Sequence, residues 1–231
     1  MMRLLPSIAF NMVMFSAAAI LSLAALALKP FAPGSVIVIG RFWSRLTLFA
    51  LRWLCGVRLE ITGDIPAGGG VIIAAQHQSA MDILVLLVLL KNPAFVLKQE
   101  LLKLPLFGAL LKPAGMIAVD RAGGAATLRK MVQDGAAQLA AGRPIVIFPE
   151  GTRVPPGARG TLHPGIVALA KALDVPVIPV TTDSGRRWGR KAFFKTPGPV
   201  HLRFCPALPI GLHRAAMIAA LERCFYEGGD A

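Results

Sequence analysis

His77 and Asp82, in the run Ala75-Gln76-His77-Gln78-Ser79-Ala80-Met81-Asp82, set an imidazole and a carboxylate five residues apart between two apolar stretches, Val71–Ala75 and Ile83–Leu90. A carboxylate beside an imidazole selects its tautomer and stabilises the imidazolium, which is what a general base requires. On one continuous helix the pair would sit about 140° apart, because each residue turns about 100°. They can meet only if His77 lies off the helix. Ser79 is a good N-cap, and Asp82 then falls at N3, the acidic position of a capping box. The spacing therefore predicts a helix starting at Ala80, with His77 in the turn before it and free to fold back. The same residues would equally serve as a capping box beside a turn histidine, with no chemistry at all.

A second group follows another apolar run. Phe148-Pro149-Glu150-Gly151-Thr152-Arg153 comes directly after Ile145-Val146-Ile147. Proline cannot continue a strand ladder, so the chain must turn out of the sheet there. Gly151 permits a tight turn or a close ligand approach, and Thr152 and Arg153 supply donors suited to a phosphate. An exposed loop holding a solvated Glu150–Arg153 salt bridge fits these residues as well. Lys98 ends Phe95-Val96-Leu97, and Arg121 closes Val119-Asp120 before Gly123-Gly124. No dinucleotide or P-loop glycine spacing is present, and Ser79 lacks the flanking glycines of a nucleophile elbow, which argues against a covalent serine mechanism.

The elements that must position these groups alternate. Candidate strands are Val57–Thr62, Val71–Ala75, Ala94–Leu97, Met116–Val119, Ile145–Phe148, Val175–Thr181 and Val200–Phe204; candidate helices are Ala80–Leu90, Pro105–Leu111, Ala125–Ala141, Gly165–Leu173 and Leu212–Tyr226. This pattern predicts an α/β fold, a mixed and largely parallel sheet of about seven strands flanked by helices. Ligands bind such sheets outside the carboxyl ends of the strands, and His77, Lys98, Arg121, Glu150 and Arg153 all follow strands.

Residues 1–55 read differently. Leu4–Leu28 contains no charged residue, and its helical length of about 37 Å would cross a hydrocarbon core. Its length favours an uncleaved anchor over a signal peptide. Lys29, Arg41 and Arg45 after it, against Arg3 before it, place the following chain on the cytoplasmic side of an inner membrane. Val36–Cys55, as a helix, would carry Arg41, Arg45 and Arg52 beside a flank of Phe42, Trp43, Leu46, Phe49, Trp53 and Leu54. That pattern suits a helix in the head-group layer, or one packed on the protein's own core. The expected organisation is a two-helix membrane-associating segment, 1–55, and an α/β catalytic unit, 56–231.

Composition agrees. Hydrophobic residues make up 55% and charged ones 16%, with a net charge of +13, which favours a membrane-associated protein with anionic partners. Aromatic residues do not interleave with a basic face, which speaks against nucleic acid. Cys55, Cys205 and Cys224 fit no disulfide framework or metal spacing, and read as separate packing residues in a reducing compartment. No metal is expected.

Taken in order, these motifs resemble the glycerolipid acyltransferase family, of the 1-acyl-glycerol-3-phosphate type. His77 to Asp82 matches its H-x4-D motif. Lys98-Gln99-Glu100-Leu101 with Pro105, Gly108, Gly115 and Val119-Asp120-Arg121 suggests the second motif. Phe148–Arg153 matches the third and Val175-Pro176-Val177-Ile178-Pro179-Val180 the fourth. The resemblance implies acyl transfer from acyl-CoA or acyl-carrier protein, as co-substrate and without a cofactor, to the sn-2 hydroxyl of lysophosphatidate. It makes His77 the base and Asp82 its orienter. Lys98, Arg121 and Arg153 would bind phosphate in a site shaped by Glu150, Gly151 and Thr152, and Val177, Ile178 and Pro179 would support the acyl end. The implied partners are membrane phospholipid, lysophospholipid and the thioester carrier, with no nucleic acid and no stable protein partner. Leu162-His163-Pro164-Gly165 departs from the family's basic residue after the third motif. A more neutral pocket there leaves another lysolipid, such as lyso-ornithine lipid, as an alternative acceptor. A non-catalytic anionic-lipid-binding protein is the reading from a different class.

Overall fold

The short β-prone runs pair into one seven-stranded sheet. The computed structural model describes residues 3–120 and 123–228. Its strands are β1 (Val57–Thr62), β2 (Ile72–Ala75), β3 (Ala94–Lys98), β4 (Ile117–Val119), β5 (Ile145–Ile147), β6 (Val177–Thr182) and β7 (Gly198–Phe204), ordered β1-β7-β6-β2-β5-β3-β4. Every neighbouring pair is parallel except β6 with β7. Strand β2 sits in the middle, covered on both faces, and its four residues are all buried and apolar, as central parallel strands require. Alternation divides it: Ile73 and Ala75 enter one core, Ile72 and Ala74 the other.

The first core is roofed by α1 (Leu4–Leu28), α2 (Ser35–Cys55) and α3 (Ala80–Leu89), the second by α5 (Gly124–Ala140), α6 (Gly165–Leu173) and α7 (Arg214–Glu222). A short α4 (Gly108–Leu111) follows a 3₁₀ turn at Gln99–Lys103. The helix expected from Pro105 is shorter because Leu106 adopts φ +59°, which interrupts helical winding. The expected C-terminal helix starts after His213, and past Glu222 it widens into a π turn, Arg223–Glu227.

Helix α1 does not stand apart. Phe10 meets Trp188 edge to face at 5.2 Å, Trp43 Nε1 donates to the Met14 carbonyl at 3.1 Å, and Ala25 packs with Val36 and Leu110. Both ends of α1 therefore lie against the sheet domain. Its outer side stays apolar and exposed at Leu5, Met12, Phe15, Ile20 and Leu23. On α2, Arg41 turns inward to donate to the Leu87 and Leu90 carbonyls at the end of α3. Arg45, Arg52, Phe42, Phe49 and Trp53 remain exposed, so the helix packs with one face and presents a basic, aromatic other.

The cysteines correct the sequence reading. Cys205, just after β7, and Cys224, in the π turn, form a disulfide, while Cys55 is free and buried. Their pairing follows from the docking of the C-terminal segment against β6, near the end of β7, which spacing in the chain does not reveal.

Candidate active site

The turn leaving β2 is held rigidly. Gln76 N continues the ladder to the Val180 carbonyl at 2.9 Å, and its side chain bridges Thr182 N at 3.1 Å and the Phe225 carbonyl at 2.9 Å. His77 then leaves the sheet: its N–H donates to Glu150 Oε2 at 2.8 Å, its carbonyl accepts from Val154 N at 2.7 Å, and its ring stacks on Phe148 with centroids 4.1 Å apart. Ser79 is extended, at φ −142° and ψ 162°, and completes the capping box of α3 with Asp82. The capping carboxylate also reaches the imidazole, so Asp82 makes both contacts that the sequence allowed.

Asp82 is 2% exposed. Its Oδ2 accepts from His77 Nδ1 at 3.1 Å and from the backbone N–H groups of Gln78 and Ser79 at 2.8 Å each. Its Oδ1 accepts from Ser184 Oγ at 2.5 Å and, more distantly, from Thr182 Oγ1 at 3.4 Å. An acceptor-only carboxylate fixes the proton on Nδ1. Nε2 is then the basic nitrogen, and it has no hydrogen-bond partner among the described residues.

Glu150 has a different place from the one the sequence suggested. Among the described residues it makes no ion pair with Arg153, and it is absent from the wall of the cavity that His77 lines. It is 4% exposed, and its Oε1 accepts from the Tyr226 hydroxyl at 2.9 Å while Oε2 holds the His77 backbone. Burial pushes its carboxyl above the usual range, and the His77 N–H and Tyr226 hydroxyl pull it partly back. The Tyr226 hydroxyl also accepts from Gly160 N at 3.0 Å, and burial pushes its own pKa up to about 12. Glu150 is thus a brace between the C-terminal segment and the histidine turn. Gly151, at φ +65°, makes the turn after it, a conformation that glycine adopts at least cost.

His77 lines a cavity of about 1150 Å³ whose wall has two unlike parts. One is cationic, carrying Lys98, Arg153, Arg190 and Lys191, with Thr152, His163 and Asp120 nearby in the wall. The other runs between α1, α2 and α3, past Leu21, Ala25, Ile37, Trp43, Leu84 and Leu87. Such a volume exceeds that of an ordinary small-molecule pocket and suits a long apolar ligand with one charged end. Burial lowers the Arg153 pKa, Asp82 raises it, and Arg190 lowers it again; the guanidinium stays charged. Lys98, Arg153 and Arg190 make no ion pair with a carboxylate among the described residues. Cations gathered in one cavity wall, with no ion pair among the described residues, are arranged for an anion.

Of the expected site residues, His77, Lys98, Gly151, Thr152 and Arg153 share this cavity. Arg121 lies outside the described residues. Val177, Ile178 and Pro179 begin β6 within the sheet and are absent from the cavity wall. His163 does line the cavity, but Arg190 and Lys191 supply positive charge that the sequence reading did not count. Also missed were Ser184, Thr182 and Tyr226. Only tertiary contact brings them to the site; being the chain's one tyrosine was the sole hint for Tyr226. Among the described residues no group of His, Cys, Asp and Glu could hold a metal ion.

Residues 56–183 match the family model described as Acyltransferase. The chain is 36% identical over 171 residues to the 1-acyl-sn-glycerol-3-phosphate acyltransferase of Pseudomonas aeruginosa, covering 72% of this chain and 65% of that one. It is 28% identical over 169 residues to the human alpha form, covering 71% and 60%. The matched region thus spans somewhat less than two thirds of these relatives' length. The solved structure of the 1-acyl-sn-glycerophosphate (LPA) acyltransferase from Thermotoga maritima has the same fold, with a TM-score of 0.62 at 23% identity over 91% of this chain and 93% of that one.

Proposed function

The chain belongs to the acyltransferase family, and from that premise we propose that it moves a fatty acyl group from an acyl-CoA or acyl-carrier-protein thioester to the sn-2 hydroxyl of 1-acyl-sn-glycerol-3-phosphate, giving phosphatidate. The observation that carries the reading is the sharing of one cavity by the His77–Asp82 pair, the cations Lys98, Arg153, Arg190 and Lys191, and a long apolar wall. Those three features match a hydroxyl to be deprotonated, a phosphate and an acyl chain. A lyso-aminolipid would have less use for four cations.

In the proposed reaction the phosphate binds the cationic end and presents the sn-2 hydroxyl to His77 Nε2. The imidazole takes the hydroxyl proton as the oxygen attacks the thioester carbonyl, and Asp82 stabilises the imidazolium. The tetrahedral intermediate collapses, the C–S bond breaks, and the departing sulfur receives the proton from the imidazolium. The acyl group reaches the acceptor directly, and no acyl-enzyme forms.

Because α1 is packed against the sheet domain near both of its ends, the apolar N-terminal segment lies in one leaflet on the cytoplasmic side instead of crossing the bilayer. Residues 1–55 are the membrane-associating part and 56–231 carry the chemistry. The test is thiol release from acyl-CoA, and from an acyl-carrier-protein thioester, with lysophosphatidate as acceptor. Turnover should require the acceptor and disappear in His77→Ala; equal rates in both proteins would remove His77 from the mechanism.

A further inference from the structure

The connection between β6 and β7 carries groups that neither the fold nor the proposed reaction uses in full. From Ser184 to Pro197 it contains Arg186, Arg187, Arg190, Lys191 and Lys195 and no acidic residue. Arg186, Arg190 and Lys191 are exposed. So are Phe193 and Phe194, at 48% and 52%, their rings edge to face with centroids 5.3 Å apart. Paired aromatic rings beside cations that make no ion pair among the described residues match the lipid–water boundary, where rings sit between head groups and cations meet phosphates.

Lys195 fixes this loop to α1. It is 2% exposed. Its Nζ donates to Asn11 Oδ1 at 2.8 Å and to the Phe193 and Ala192 carbonyls at 2.9 and 3.3 Å, and it lies 5.0 Å from the ring centroids of both Phe10 and Trp188. Lys195 N donates to Ser7 Oγ at 3.1 Å, Asn11 Nδ2 to the Phe193 carbonyl at 3.3 Å, and Arg3 to Thr196 Oγ1 at 3.3 Å. Asn11 shares its helical stripe with Leu4 and Phe15, which are 42% and 65% exposed. The two phenylalanines therefore continue the bare apolar surface of α1, while Arg190 and Lys191, on the same loop, line the cavity.

We propose that Gly189–Lys195 is a second membrane-contacting element, with Phe193 and Phe194 seated in the interface of an anionic phospholipid bilayer and Arg190 and Lys191 at head-group depth beside the cavity. A phosphate-bearing lipid would then pass from the leaflet to the site along a continuous cationic rim. The seating of the rings stands independently of the acyl-transfer reading; the passage of substrate rests on it.

The test uses the full chain carrying Phe194→Trp, mixed with phosphatidylglycerol–phosphatidylcholine vesicles containing lipids brominated on their acyl chains. Tryptophan emission should be quenched beyond that of the parent, which has Trp43, Trp53 and Trp188. Vesicle binding without extra quenching would place the loop in water and overturn the proposal, whatever the enzyme's activity. Phe193→Ser with Phe194→Ser should lower turnover of vesicle-borne lysophosphatidate by about tenfold or more, since interfacial binding scales with buried apolar area, and leave turnover of a monomeric short-chain lysophosphatidate within about twofold. Phe193→Leu with Phe194→Leu should restore the vesicle rate. Equal losses on both acceptors would assign the rings to folding, and a loss confined to acyl-carrier-protein thioesters would assign the loop to a protein donor; either refutes the lipid interface.

Discussion

Replacing Tyr226 by Phe removes one oxygen from a chain of contacts that ends at the proposed base. The hydroxyl donates to Glu150 Oε1 at 2.9 Å and accepts from Gly160 N at 3.0 Å. Glu150 is 4% exposed, so no water readily takes the missing place. A hydrogen bond to an ionised group is worth about 1.5–3 kcal/mol, and a neutral one about 0.5–1.5 kcal/mol. Where Glu150 is ionised the variant should therefore lose about 1.5–3 kcal/mol, which lowers Tm by roughly 5 °C or more in a chain of this size. The pH dependence has a definite sign. The folded-state pKa of Glu150 is raised, chiefly by burial, and the Tyr226 hydroxyl opposes that rise. Burial therefore favours the protonated carboxyl: its stabilising contribution is present below the unfolded pKa and is lost as pH climbs through the raised folded value. Without the hydroxyl the folded pKa rises further and the loss becomes larger. The Tm deficit of Tyr226→Phe should be larger toward about pH 8 than toward about pH 4, where only a neutral hydrogen bond is forfeited. The same displacement should move the acid limb of kcat/KM upward, because a protonated Glu150 can accept less well from the His77 N–H. Thermal melts and thiol-release rates across that range read both effects. A pH-independent Tm deficit, or an unmoved acid limb, would refute the bracing role of Glu150.

Asp82→Asn keeps an oxygen for the backbone donors but removes the charge 3.1 Å from His77 Nδ1; at an effective dielectric of about 20 that attraction is about 5 kcal/mol, so kcat should fall about 10³–10⁴-fold, and Tm should fall as well because the hydrogen bonds to the buried carboxylate lose their charge. A fall below tenfold would mean that Asp82 only caps α3. Arg153→Gln should reduce kcat/KM for lysophosphatidate by about 10–100-fold, the loss of one charge-assisted hydrogen bond, and Arg190→Gln less, because Arg190 is more exposed. Neither should affect a monoacylglycerol acceptor, and a parallel loss there would dissociate the cations from phosphate. Arg3→Cys and Lys29→Cys flank α1; in sealed membrane vesicles an impermeant maleimide should label both from the same side, whereas labelling from opposite sides would show a spanning helix.

The parts of this molecule that were legible in the sequence are those written in local patterns. Ser79 and Asp82 announce a capping box through spacing alone, and α3 begins where they put it. The apolar run at Ile72–Ala75 and the stop at Pro149 mark strands by composition and by the missing N–H. The third motif misled in one respect: Glu150 beside Arg153 reads as a surface pair or a ligand group, yet the glutamate points inward to a tyrosine 76 residues away. Ser184 and the Cys205–Cys224 disulfide were hidden for the same reason, since each depends on how β6, β7 and the C-terminal helix dock. Residues on a shared loop or helix leave a period; residues joined by packing leave none.

The N-terminal helices show where local reading and packing diverge furthest. Length and hydropathy make Leu4–Leu28 a fit for a bilayer span, and the change of pattern near residue 55 suggests an anchor joined to a separate enzyme. Packing joins them instead. Phe10, Met14 and Leu51 share a core with Ile73, Val146 and Val180 of the sheet, and Leu21, Ala25, Ile37 and Trp43 supply wall to the same cavity that His77 lines. In the proposed reaction, a helix with a bare apolar side that also walls the cavity would leave an acyl chain little water to cross. The exposed residues of α1 and the cavity-lining ones are alternate faces of one element, so the sequence could show that the helix is apolar all round but not that its two sides have different tasks.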